Sequence, residues 1–171
     1  MVLTLLLLLA IQTVEKQTLP GATNVTRVDA TVACGGATTV EAFPELKKRG
    51  FASIINLRRE SETGADIPAA RAAAEKVGLT YIHIPVDPAN PSPQAADAFL
   101  DAVTKPVNQP AYIHCASANR VGAMWLIKRV LIDGWDVPRA TAEAEAIGLS
   151  KPELKQFAID YVATHRKPAD K

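Results

Sequence analysis

Ala111-Tyr112-Ile113-His114-Cys115-Ala116-Ser117-Ala118-Asn119-Arg120-Val121-Gly122 is the stretch on which the fold turns. A short apolar run ends in His-Cys, four small or polar residues follow, and Arg120 opens a strongly helical stretch. That order predicts a buried strand running into a tight loop that closes on a helix N-terminus. The backbone N–H groups and dipole of such a terminus attract anions. They also lower the pKa of a thiol, and a nearby Arg adds to the effect. A nucleophilic thiolate, an anion cradle and a fixed cation therefore fall within the six residues Cys115–Arg120. The set suits attack on a phosphorus or sulfur centre that carries oxyanions.

Upstream of this stretch, strand and helix signals alternate. Residues 12–28, with Pro20-Gly21, read as a lead-in strand or arm, and Val28–Cys34 as a strand closed by Gly35-Gly36. Thr38-Thr39-Val40-Glu41 has the form of a capping box for a helix that runs to Lys48 and stops at Gly50. Phe51–Leu57 is an apolar run of strand length, followed by the charged loop Arg58–Gly64. Asp66 caps an Ala-rich helix that ends at Gly78, and Thr80–Val86 is the next strand. The Pro-flanked loop Asp87–Pro91 leads to a helix opened by Ser92-Pro93 and reaching about Thr104. After Arg120 a helix runs to Gly134, and two more follow, one behind Asp136-Val137-Pro138 and one capped by Ser150 with Glu153. This alternation predicts an α/β domain: a central, mainly parallel sheet flanked by helices on both faces. Ligands of such sheets bind beyond the carboxyl ends of the strands, where Arg58–Gly64, Asp87–Pro91 and Cys115–Arg120 converge.

The bulk properties exclude several classes. A chain of 171 residues with formal charge +1 and 5% aromatic residues has neither the basic clusters nor the stacking surface of a nucleic-acid binder. Its two cysteines, Cys34 and Cys115, are too few for a disulfide framework and lack zinc-ligand spacing, so no metal and no cofactor are expected. A Cys34–Cys115 bridge and a buried structural Cys34 both remain open. The apolar run at residues 1–11 is too short to span a bilayer and suits the core of a signal peptide, with cleavage as late as about residue 17. No basic residue precedes it and no small-x-small site follows it. The expected layout is a leader at 1–11, one domain at 24–165 and a charged tail at 166–171. Periplasmic or secreted export is the expectation if the leader acts, and a cytoplasmic location if it does not.

Candidate chemistry follows from the loops. Cys115 is the candidate nucleophile, against the alternative of a buried structural thiol. A cation is disfavoured in the first turn of a helix unless an anion offsets it, so Arg120 reads as an anion ligand. Ala116, Ser117, Ala118 and Asn119 supply the loop amides, and His114 lies beneath the loop as an orienting or simple core histidine. Asp87 is the candidate general acid, with Asp97 as fallback. Arg58 and Glu60 are candidates for orienting the loop or binding substrate.

Three segments in this order resemble the protein tyrosine/dual-specificity phosphatase superfamily, in its bacterial atypical branch that includes the domain fused to beta-lactamase-like hydrolases. They are Phe51–Arg58 with its Ile-Asn-Leu-Arg, Gly78–Val86 with its Tyr-x-His-Ile-Pro, and the His-Cys loop. The resemblance implies a phosphocysteine on Cys115, phosphoryl oxygens held by Arg120 and the loop amides, and Asp87 acting first as acid and then as base for water. It implies a phosphorylated protein or a small-molecule phosphate as partner. The loop departs from the common pattern: it is Cys-x4-Arg, Ala118 stands where a glycine is usual, and Val121 replaces a hydroxyl residue. Six-residue loops of this spacing also resemble rhodanese sulfurtransferases, and a binding domain without catalysis is the third reading. The fold tolerates these departures more readily than the chemistry does.

Overall fold

The computed structural model describes residues 14–166; the expected leader at 1–11 and the tail from 167 onward lie outside them. The chain runs β1 (Glu15–Gln17), β2 (Val25–Arg27), β3 (Val32–Gly35), α1 (Phe43–Lys48), β4 (Ser53–Asn56), α2 (Ile67–Lys76), β5 (Thr80–His83), α3 (Pro93–Thr104), β6 (Ala111–His114), α4 (Asn119–Leu131), α5 (Val137–Ile147) and α6 (Pro152–His165). The strands form one sheet in the order β1-β2-β3-β6-β4-β5. The pairs β3–β6, β6–β4 and β4–β5 are parallel, and the β1–β2 and β2–β3 pairs are antiparallel. The expected mainly parallel α/β sheet is what forms.

Every residue of β3, β4 and β6 is buried, which is why these strands read as continuous apolar runs rather than alternating ones. One face is covered by α1 and α2 through Phe43, Leu46, Ile67 and Ala74. The other is covered by α3 to α6, with α4 in the middle. Ten of the thirteen α4 residues are buried, so the helix shows little amphipathic pattern.

Three helix starts are capped by side chains at the places where the sequence opens each helix. Asp66 accepts from the Ala69 amide at 2.9 Å, Ser92 from Ala95 at 3.2 Å and Asp136 from Arg139 at 2.8 Å. Two differ. The Thr38–Glu41 segment forms only a 3-10 turn at Val40–Ala42, and α1 starts directly after it at Phe43. The reason is that the buried Thr38 hydroxyl meets the Gly36 carbonyl and the Tyr112 hydroxyl rather than a helix amide. Ser150 likewise caps nothing: α6 begins at Pro152, and Ser150 turns to Asn119.

Gly122 lets α4 approach the α5–α6 turn. A Cβ there would lie 2.7 Å from the Ala144 carbonyl oxygen and 2.8 Å from Leu149 Cβ. Backbone cannot swing aside, so Gly122→Ala is expected to destabilise the fold by about 2 kcal/mol in urea denaturation. A loss under about 0.5 kcal/mol would refute this packing account.

Candidate active site

Parallel pairing of β6 between β3 and β4 brings the Cys115 loop to the carboxyl edge of the sheet, with the Cys115 amide 3.4 Å from the Gly35 carbonyl. The Cys115 side chain is fully buried. Ala116 and Ser117 are exposed above it, and Ala118 closes the turn at φ 71°, the left-handed region. The loop is held from both sides. Asn24 Nδ2 donates to the Ser117 carbonyl at 3.4 Å, and a Cβ on Gly148 would come within 3.0 Å of Ala118 Cβ. Among the described residues, the amides of Ala116 to Arg120 donate to no carbonyl or side-chain acceptor. They lead into the α4 N-terminus, where free amides and the helix dipole favour an anion.

The Asn119 side chain is engaged away from the loop. Its side-chain Oδ1 accepts from the Ser150 amide at 2.7 Å, the Ser150 hydroxyl at 3.2 Å and the Lys151 amide at 2.9 Å. These bonds explain why Ser150 is unavailable to α6. The physical cause is that two main-chain donors in the turn after Gly148 need an acceptor, and Asn119 offers the nearest one.

Arg120 is 3% exposed and firmly tied down. Its Nη1 donates to the carbonyls of Leu57 at 3.1 Å and Val86 at 3.0 Å, and both terminal nitrogens grip Glu62, at 2.5 and 2.8 Å. Glu62 is the residue the sequence reading missed. The acidic role considered for Glu60 belongs to it, and Glu60 stands exposed on the same turn. Burial alone would lower the Arg120 pKa, but the Glu62 hydrogen bonds and the nearby Cys115 sulfur raise it. Burial alone would raise the Glu62 pKa, yet hydrogen bonds from Arg120 and the Arg59 amide, with the charges of Arg120 and Arg58, hold it down to about 2.

Arg58 ties its own loop together. Its terminal nitrogens donate to the Gly64 carbonyl at 3.1 Å and the Thr63 carbonyl at 2.6 Å, and its Nε lies 3.5 Å from Glu62. Asp87 follows Val86, whose carbonyl Arg120 holds, so the cation anchors the segment that carries the candidate acid. The Asp87 carboxylate is partly exposed, pairs with Arg59 at 2.9 Å and accepts from the Ala89 amide at 2.9 Å. Asp97, the fallback, accepts from the Tyr161 hydroxyl on α6 and belongs to the helical layer. His114 is 3% exposed and stacks on Tyr112, with ring centroids 6.1 Å apart. Burial, followed by the charges of Arg58 and Arg120, pushes its pKa down to about 3. Both cysteines are free thiols, and burial pushes the Cys34 thiol well above the ordinary range.

Two predictions arise here. In the first, both Glu62 and His114 have lower pKa values in the folded than in the unfolded chain. Below their ordinary values the unfolded state therefore binds more protons. Stability is then full above about pH 6.5, falls first through His114, and falls further through Glu62 between about pH 4.5 and 2. Melting temperature against pH should show this decline, and His114 ring resonances should stay those of neutral imidazole to about pH 4. A ring that titrates near its ordinary value contradicts it. In the second, Ala118 holds a conformation that costs an L-residue about 1 kcal/mol. Ala118→Gly is expected to raise stability by roughly 0.5 kcal/mol, the relief being partly offset by glycine's freedom when unfolded.

With the geometry described, the chain can be set beside known proteins. Residues 7–160 match the family model for PTP-NADK, "DSP-PTPase phosphatase fused to NAD+ Kinase". The chain belongs to this family. The match extends well beyond the three resembling segments, to include β1, β2 and most of α6. Family membership agrees with the solved structures that share the fold. The DUF442 protein of Shewanella putrefaciens CN-32 superposes with a TM-score of 0.72 at 21% identity, over 86% of this chain and 96% of that one. The core catalytic domain of the PP-IP phosphatase Siw14 from S. cerevisiae gives 0.67 at 19% identity, over 83% and 87%. TpbA of P. aeruginosa gives 0.63 at 17% identity, over 85% and 91%. The Beta-lactamase hydrolase-like protein of Xylella fastidiosa (strain 9a5c) is 26% identical over 165 residues, covering 82% of this chain and 38% of its own. The chain thus spans little more than a third of the length of that relative. The family's dual-specificity phosphatase fold is the one found here.

Proposed function

We propose that the protein hydrolyses a phosphomonoester through a phosphocysteine on Cys115. The observation that carries this reading is the run of five loop amides, Ala116 to Arg120, that follows the buried Cys115 and meets no acceptor among the described residues. Such a row fits three equatorial oxygens of a phosphoryl group in flight. In the first step the Cys115 thiolate attacks phosphorus, the S–P bond forms, the ester P–O bond breaks, and Asp87 gives its proton to the leaving oxygen. In the second, Asp87 takes a proton from water, which attacks phosphorus and releases phosphate and the thiolate. Arg120, held rigid by Glu62 and two carbonyls, supplies positive charge beside the sulfur without needing to reorganise. The substrate class is a phosphate dianion ester, on a protein or a small molecule.

The test is the rate of Cys115 alkylation against pH, with and without vanadate, beside turnover of an aryl phosphate. Support requires a thiol pKa below the ordinary 8.5 or so, protection by vanadate, and release of phosphate. Thiocyanate formed from thiosulfate and cyanide, without phosphate release, overturns the reading in favour of sulfur transfer. A normal thiol that no oxyanion protects overturns both.

A further inference from the structure

On the sheet face that carries α1 and α2, a cavity of about 290 Å³ opens beside the carboxyl ends of β4 and β6. Loop residues 116–119 do not line it. Phe43, Ile67 and Ala70 give it apolar walls, and His114, Tyr81 and Arg58 give it polar ones. His114 is the telling group. It is more than nine-tenths buried, it lines this cavity, and neither ring nitrogen makes a hydrogen bond of good geometry among the described residues, the Cys115 main chain being the one backbone group close enough to act on the ring. Buried polar groups are almost always satisfied, and exceptions mark a ligand, an ion or water. A neutral imidazole carries one donor and one acceptor. Tyr81 adds a donor, because its hydroxyl oxygen already accepts from Asn56 Nδ2 at 2.7 Å, which leaves its own proton free to be given.

The charges around the cavity argue against an ionic occupant. Arg58 is compensated by the carbonyls of Thr63 and Gly64 and by Glu62. Glu41 and Asp66 stand among the lining residues, where they repel a carboxylate or phosphate, and Arg58 repels an ammonium. An unpaired charge buried here would lose its hydration for nothing in return. We propose that this cavity binds a small uncharged molecule, with an apolar ring or chain between Phe43 and Ile67 and one hydroxyl or amide head against His114 and Tyr81. The volume matches a substituted benzene, or on the order of ten waters. The site lies on the other side of the sheet from α4, and Cys115, Arg120 and Asp87 are not among its lining residues.

The probes are benzyl alcohol and benzamide, with toluene and benzoate as comparisons, titrated into the protein while His114 and Tyr81 ring signals are followed by NMR. Benzyl alcohol and benzamide are expected to shift both rings with dissociation constants on the order of 1 mM, as their size allows. Toluene and benzoate should bind about tenfold more weakly. Tyr81→Phe should weaken benzyl alcohol about fivefold, and Ala70→Phe, which fills the space, should remove binding. Three results overturn the proposal: toluene as tight as the alcohol, benzoate tighter, or no shift of either ring by any probe up to about 20 mM. The readout uses no turnover, so failure of the phosphatase reading leaves it intact.

Discussion

Replacing Glu62 with alanine is expected to destabilise the protein by roughly 3 kcal/mol in urea denaturation at neutral pH, a large part of the stability of a domain this size. The reason is the state in which it leaves Arg120. The Arg120 side chain is 4% exposed and its guanidinium faces Glu62 at 2.5 and 2.8 Å. Without the carboxylate, a buried cation keeps only two carbonyl partners, those of Leu57 and Val86. Breaking a buried pair from one side is costly because it strands the other charge; removing both partners is far less so. The double variant Glu62→Leu with Arg120→Leu should therefore recover much of the loss. If Glu62→Ala costs less than about 0.5 kcal/mol, the pair is a surface contact and the account fails.

Cys115→Ser is expected to lower aryl phosphate turnover by at least about a thousandfold while leaving the melting temperature within a few degrees. A serine hydroxyl stays protonated where a thiolate forms, so the nucleophile is lost while the loop keeps its shape. Binding of vanadate or phosphate should survive, since the amides of Ala116 to Arg120 are untouched. A variant that keeps more than about a tenth of wild-type turnover shows that Cys115 is not the nucleophile. Steady-state rates and an equilibrium titration on the same preparation separate these outcomes.

The elements that the sequence revealed were those specified locally. Asp66, Ser92 and Asp136 each satisfy an amide three residues on, so three helix starts could be read from a few letters. The apolar runs of β4 and β6 are buried on both faces, and that burial is what the runs record. The strained Ala118 was legible too, because a missing glycine at a tight turn leaves a trace in one position. Glu62 was not legible. It meets Arg120 across 58 residues, and nothing in the run Arg58-Arg59-Glu60-Ser61-Glu62 says which carboxylate turns inward. A buried arginine at a helix N-terminus does demand an acidic partner, and that demand was the one available signal. The Ser150 cap failed for a similar reason: its competitor, Asn119, lies 31 residues away.

Asn119 also bears on how this loop could be moved or inherited. One side-chain oxygen joins it to two amides and a hydroxyl at the start of the last helical segment. Cys115 to Arg120 are therefore not a portable cassette. Grafting them onto another scaffold would carry across the nucleophile and the cation but not the turn at Ser150-Lys151 that braces them. The smallest transferable unit runs from β6 through the first residues of α6, and drift at Asn119 or Ser150 constrains the other even though neither side chain reaches the sulfur.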